Sequence, residues 1–237
     1  MRNLQTTIDQ INQALEVKNT IRDHTLNRSR ELIRHCANSI RATHRGNDTQ
    51  AQALLATARQ TARDMLAEIS DYPDIECAGY TQDALKELAE AYLTRAVIQN
   101  EPLPSPTELE VEYPAYLNGL AEAAGELRRF ALDALRRGQV DQAERILGNM
   151  DDIYSMLITV DFPGALTGGL RRSTDMVRGV LERTRGDVTT AVRQEAMKAA
   201  LQAFEQRIGV PVSDEPTLLI EDDDEFAPDS GQRTDAV

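Results

Sequence analysis

Apolar residues in this chain recur every three or four positions almost from end to end, and the alternation of a half-buried strand is absent. In the stretch 119–138, GLAEAAGELRRFALDALRRG, the residues Leu120, Ala124, Leu127, Ala131 and Leu135 fall on one helical stripe. Ala, Leu, Arg, Glu and Gln, all good helix formers, dominate the sequence. The pattern predicts an all-α protein, a layered bundle of six to seven helices, with a disordered acidic C-terminal tail. At 237 residues the chain can bury one sizeable core. It divides into a helical domain over 1–209 and a tail over 210–237.

The periodicity predicts helices over about 4–45, 48–69, 75–99, 115–137 and 140–160, and from about 165 onward. Ile8, Ile11, Leu15, Ile21, Leu26, Ile33, Cys36 and Ile40 supply the apolar face of the first, and Gly46 ends it. The second stops before Tyr72-Pro73, since a residue preceding proline avoids the helical region. Four prolines in EPLPSPTELEVEYP, residues 101–114, predict a loop. Gly186-Asp187 either breaks the last helix or is passed through to Ile208. Beyond Gly209 the chain is acidic and aperiodic, which predicts disorder.

Net charge is −13, and residues 213–237 carry −8 of it. So acidic a protein is not a bulk binder of polyanions, and any contact with nucleic acid must rest on local patches. Trp is absent and aromatics are 4% of the chain, which argues against modules that stack bases on exposed rings. Cys36 and Cys77 fit neither a metal spacing nor a disulfide framework. The N-terminus shows no apolar signal segment, and no run is long enough to span a bilayer. A cytoplasmic protein without membrane contact is expected.

Phosphate-binding loops, HExxH and CxxC are missing. What remains is carboxylate chemistry. Glu87 and Glu90 lie on one side of their helix, and Glu122 and Glu126 on one side of another. Like charges one turn apart disfavour a helix by roughly 0.2–0.5 kcal/mol. If the two faces met, the four acids would need a cation, and Mg²⁺ or Mn²⁺ suits an all-oxygen site. Such ions activate water and hold a phosphodiester for in-line displacement. The same spacing equally describes solvated faces on an acidic protein. Arg30, Arg34, Arg41 and Arg45, with Asn27 and Asn38 beside them, form a stripe on the first helix that suits phosphate oxygens, or a solvated basic face.

Residues 116–147, YLNGLAEAAGELRRFALDALRRGQVDQAERIL, resemble the segment shared by translin and translin-associated factor X. LKELAEAYL at 85–93 is similar to the glutamate-bearing helix of translin-associated factor X. SRELIRHCANSIRATHRG at 29–46 and GLRRSTDMVRGVLERTRGDVTTAV at 169–192 resemble that family's first-helix end and last long helix. The resemblance covers about 15–205. It implies helical chains in closed hollow homo-oligomers that bind single-stranded RNA or DNA, with co-assembly of a related translin-like chain as a variant.

The catalytic branch of the family is a metal-dependent endoribonuclease. Its acidic positions fall on Glu87, Glu90, Glu122 and Glu126, the expected metal ligands and catalytic residues. At Glu122 the family pattern has Asp. The expected function is an Mg²⁺- or Mn²⁺-dependent endoribonuclease on single-stranded RNA, with Arg30, Arg34, Arg41, His44 and Arg45 as RNA contacts. The alternatives are a non-catalytic single-strand-binding ring and a helical scaffold.

Overall fold

In a computed structural model of the protein, residues 3–209 are described, and every regular element among them is helical. In chain order these are α1 (Leu4–His44), α2 (Asp48–Ile69), α3 (Pro73–Glu76), α4 (Gly79–Gln99), α5 (Pro106–Leu109), α6 (Tyr113–Arg136), α7 (Val140–Leu157), α8 (Gly164–Thr167) and α9 (Leu170–Ile208). The expected disordered tail over 210–237 lies outside the described residues. The described residues up to Gln194 form one compact unit. Beyond it α9 continues as helix to Ile208, with no interruption at Gly186.

Three short helices depart from the sequence expectation, each for a local reason. The predicted helix over 75–99 is two helices, because Ala78 is extended between α3 and α4. Thr81 Oγ1 donates to the Ile75 carbonyl at 2.8 Å and Gln82 Nε2 to that of Glu76 at 2.9 Å, so side chains replace the missing helical bonds. The predicted loop over 101–114 contains α5. Here Pro106 follows a capping box between Ser105 and Glu108, since proline is as good a helix starter as it is a breaker. One turn, α8, precedes α9, with Gly168 and Gly169 in the left-handed region between them.

α4 is the central element. It packs against α1, α2 and α6, and 13 of its 21 residues are buried, which leaves it no single apolar stripe. α6 lies along α4 and also packs on α7. The core gathers Leu32, Cys36 and Ile40 of α1, Leu55 and Met65 of α2, Leu85, Leu88 and Leu93 of α4, and Leu127 and Phe130 of α6. Leu4, Ile8, Ile11 and Leu15, at the other end of α1, are exposed. Arg95 of α4 is almost enclosed and held at 2.7 and 2.6 Å by Asp48 and Glu101, which fixes the start of α2 against the end of α4. The carbonyls of Val97 and Ile98, near the end of α4, accept from Arg145 of α7.

Gly119 sets how closely α4 and α6 approach. A Cβ there would stand 2.7 Å from the Lys86 carbonyl oxygen, 2.9 Å from Ala89 Cβ and 2.9 Å from the Glu90 nitrogen. No other residue fits without pushing the helices apart. Gly125, one and a half turns on, would meet nothing within 4 Å. The two substitutions therefore have opposite signs. Gly119→Ala is expected to destabilise by about 1–3 kcal/mol through overpacking. Gly125→Ala is expected to stabilise by roughly 0.5–1 kcal/mol, since helix-interior glycine only loses entropy. Urea unfolding midpoints of the two variants check both.

Candidate metal centre

α4 and α6 run side by side in the same sense. Their N-terminal residues Gly79 and Ala115 line one cavity, and Gln99 and Phe130 near their other ends line another. A parallel pair needs a long return connection, and the proline-rich segment with α5 supplies it. In this register the turn of α4 that carries Glu87 and Glu90 lies against the turn of α6 that carries Glu122, across the gap left by Gly119.

One oxygen each from Glu87, Glu90 and Glu122 lies within 4.8 Å of the others. Glu90 is 9% exposed. Burial, then the charges of Glu87, Glu122 and Glu126, push its carboxyl up to about 8. Glu87 is also raised, first by burial and then by Glu122 and Asp83 against the opposing pull of Lys86. These are carboxylates that resist ionising together without a cation. Their all-oxygen donor set is the kind that hard divalent ions take, so the residues present fit such an ion.

Glu126 stands outside that group of three and in a different state. Its Oε2 accepts from His44 Nε2 at 2.5 Å. That bond, with the charges of His44 and Arg129, outweighs burial and holds its carboxyl below the ordinary range. The His44 side chain is 4% exposed, and its Nδ1 is buried without a partner. His44, expected among the RNA contacts, is thus packed under Glu126 and beside Phe130 at a ring separation of 6.3 Å. Cys36 lies beneath Glu87 and Glu90, and burial pushes its thiol up.

The remaining members of the arginine stripe are all exposed. Arg30 and Arg34 share a shallow basin with Asn27 and Arg28. Arg41 donates to Asn38 at 2.6 Å. Arg45 lines a cavity with Arg137 at the end of α1. The sequence reading missed Lys86, whose ammonium sits 2.8 Å from Glu122 Oε1. Burial opposes its charge, but the bond and charge of Glu122 prevail and keep it firmly protonated. A lysine next to Glu87, in a chain with three lysines, was the available signal.

The raised Glu90 carboxyl has a consequence for stability. A glutamate in the unfolded chain loses its proton near pH 4.3, whereas Glu90 keeps it to about 8. Between those values the folded state binds more protons, so this group lowers stability as pH rises through the window and adds nothing further above it. In EDTA, Glu90→Gln is expected to flatten the fall in melting temperature between about pH 5 and pH 8. Equal slopes for the two proteins would contradict the burial of this group.

No family model matches the chain. An uncharacterized protein of Methanocaldococcus jannaschii is 30% identical over 213 residues, covering 84% of this chain and 90% of its own. Among solved structures, AfC3PO in a duplex RNA complex superposes with a TM-score of 0.73 at 34% identity, over 79% of this chain and 97% of that one. The crystal structure of AfC3PO gives 0.72 at 35% identity, over 79% and 98%. Apo-NeC3PO gives 0.71 at 20% identity, over 78% and 96%, and shares the fold.

Proposed function

This chain belongs to the translin and translin-associated factor X family, and on that premise we propose that it is a metal-dependent endoribonuclease working as a homo-oligomer. The observation that carries the reading is the convergence of Glu87, Glu90 and Glu122 from two helices to within 4.8 Å. A helix pair that brings three acids together, with burial raising two of them, cannot ionise them all at low cost, and a bound divalent cation would relieve that. Glu87, Glu90 and Glu122 would hold Mg²⁺ or Mn²⁺. When bound, such an ion supplies Lewis-acid activation of water and of a phosphodiester.

The chain's own residues divide the remaining work. Glu126, kept ionised by His44, is the acceptor suited to orienting water. His44 fixes the Glu126 rotamer from below, as outer partners fix carboxylates at metal sites. The exposed arginines Arg30, Arg34, Arg41 and Arg45 would take backbone phosphates outside the centre. AfC3PO is known in a duplex RNA complex, so duplex RNA stands beside single-stranded RNA and DNA as a substrate to test.

Assembly is supported by unpartnered apolar side chains. Leu4, Ile8, Ile11 and Leu15 project at spacings of four, three and four along α1, all at least 42% exposed. Such a stripe is covered when a second copy, or a related chain, packs on it. No described helix is long and apolar enough to cross a membrane. Ile8→Asp with Ile11→Asp is expected to lower the mass seen by size exclusion with light scattering, and an unchanged mass would remove this face from the assembly.

Cleavage is tested with labelled single-stranded and duplex RNA, in Mg²⁺, Mn²⁺ or EDTA, across a range of salt. Cutting that needs the metal is expected. Glu126→Ala should slow it by about 10²-fold or more, the usual scale for a lost general base. Intact RNA that is still retarded on a gel would instead select the non-catalytic binding ring. No retardation at any salt would select a scaffold.

A further inference from the structure

A cavity of about 900 Å³ opens beside the carboxylate group. The first turns of α4, α6 and α9 frame it, with α8 along one side. Glu122 belongs both to its wall and to the group of three acids, so the two are continuous. Lys86 lines the same wall from α4, and Arg172 lines it from α9.

We propose that this cavity is the subsite for one nucleotide of the RNA strand, next to the bond that is cut, with Lys86 and Arg172 sharing its phosphate. The inference rests on the nuclease reading above and adds the place where the substrate sits. Its volume lies within the range of small-ligand sites, roughly 300–1,000 Å³. The two cations come from different helices, so a phosphate between them bridges α4 and α9 and is fixed in position. The guanidinium fork of Arg172 is exposed and suits two phosphate oxygens. Met176, one turn further along α9, offers a polarisable apolar surface for the base. Asp83 and Glu112 are acceptors for sugar hydroxyls, and the 2′-hydroxyl is what distinguishes RNA from DNA.

The scaffold behind the cavity is already satisfied. Asn118 donates to the carbonyls of Pro114 and Thr167, both at 2.8 Å, and accepts from Ser173 at 2.7 Å, locking α6 to α8 and α9. Lys86 is held by Glu122 alone among its near carboxylates. Were Glu122 to hold a divalent ion, its charge would be shared with that ion and Lys86 would be freer to take phosphate. Ion and nucleotide would then strengthen each other's binding.

The test uses the full chain with ¹³C-labelled methionine methyls, the Met176 signal being identified by Met176→Leu. The probes are adenosine 5′-monophosphate and adenosine, each with and without Mg²⁺. The monophosphate is expected to shift the Met176 methyl, more tightly with Mg²⁺ than without. Arg172→Ala should weaken it about tenfold, the scale of one lost charge-assisted hydrogen bond, and leave adenosine unchanged. The same variant should raise KM for RNA with kcat near wild type. A shift that is equal for both probes, or unaffected by Arg172→Ala, overturns the phosphate role. RNA cleavage by the wild type with a silent Met176 overturns the cavity and leaves the nuclease reading standing. A responsive Met176 without RNA cleavage supports the nucleotide site and overturns the nuclease reading.

Discussion

The contact between the backbones of α4 and α6 at Gly119 is the constraint on which the rest of the centre depends. With 2.7 Å between a would-be Cβ and the Lys86 carbonyl, the helices meet as closely as their main chains allow. That closeness places the Glu87 and Glu90 turn within carboxylate reach of Glu122. A side chain at 119 would push the two helices apart and shift the Glu87 and Glu90 turn relative to Glu122. The site is therefore a property of helix packing before it is a property of acids.

Around that contact the chain separates two kinds of carboxylate. Glu87 and Glu90 are buried among like charges and pushed toward protonation. Glu126 has a histidine beneath it and is pushed toward ionisation. Environments that drive neighbouring acids apart are how one site obtains groups with different tasks. Lys86 belongs to the same economy of charge, since it neutralises Glu122 while no divalent ion does so. The mostly exposed ion pairs elsewhere, such as Arg63 with Glu110, contribute far less per pair.

Most helix boundaries were legible because their signals are local. Asn47 caps α2 and accepts from the Gln50 nitrogen, and Gly46 and Gly138 take the left-handed positions that end α1 and precede α7. The errors were local too. Ala78 breaks a run whose periodicity continues across it, because Thr81 and Gln82 bond back to α3. Pro106 lies in a proline-rich run that reads as a loop, yet the capping box of Ser105 and Glu108 makes it a helix starter. Ile8, Ile11 and Leu15 belong to the apolar face of the first helix, yet among the described residues they stay exposed.

By itself the sequence determined that the chain is helical, roughly where each helix runs, and which residue types could bind a hard cation. Periodicity carries that much, since it depends on 3.6 residues per turn and on nothing outside the helix. Only the tertiary structure decided that Glu87, Glu90 and Glu122 turn inward to one another, that His44 lies under a glutamate 82 positions away, and that Lys86 and Arg172 share one cavity. The physical reason is that a polar stripe has the same spacing whether it meets water or a neighbouring helix. Which of these it meets is set by the register and separation of two helices, and here the missing side chain at position 119 is what permits the separation.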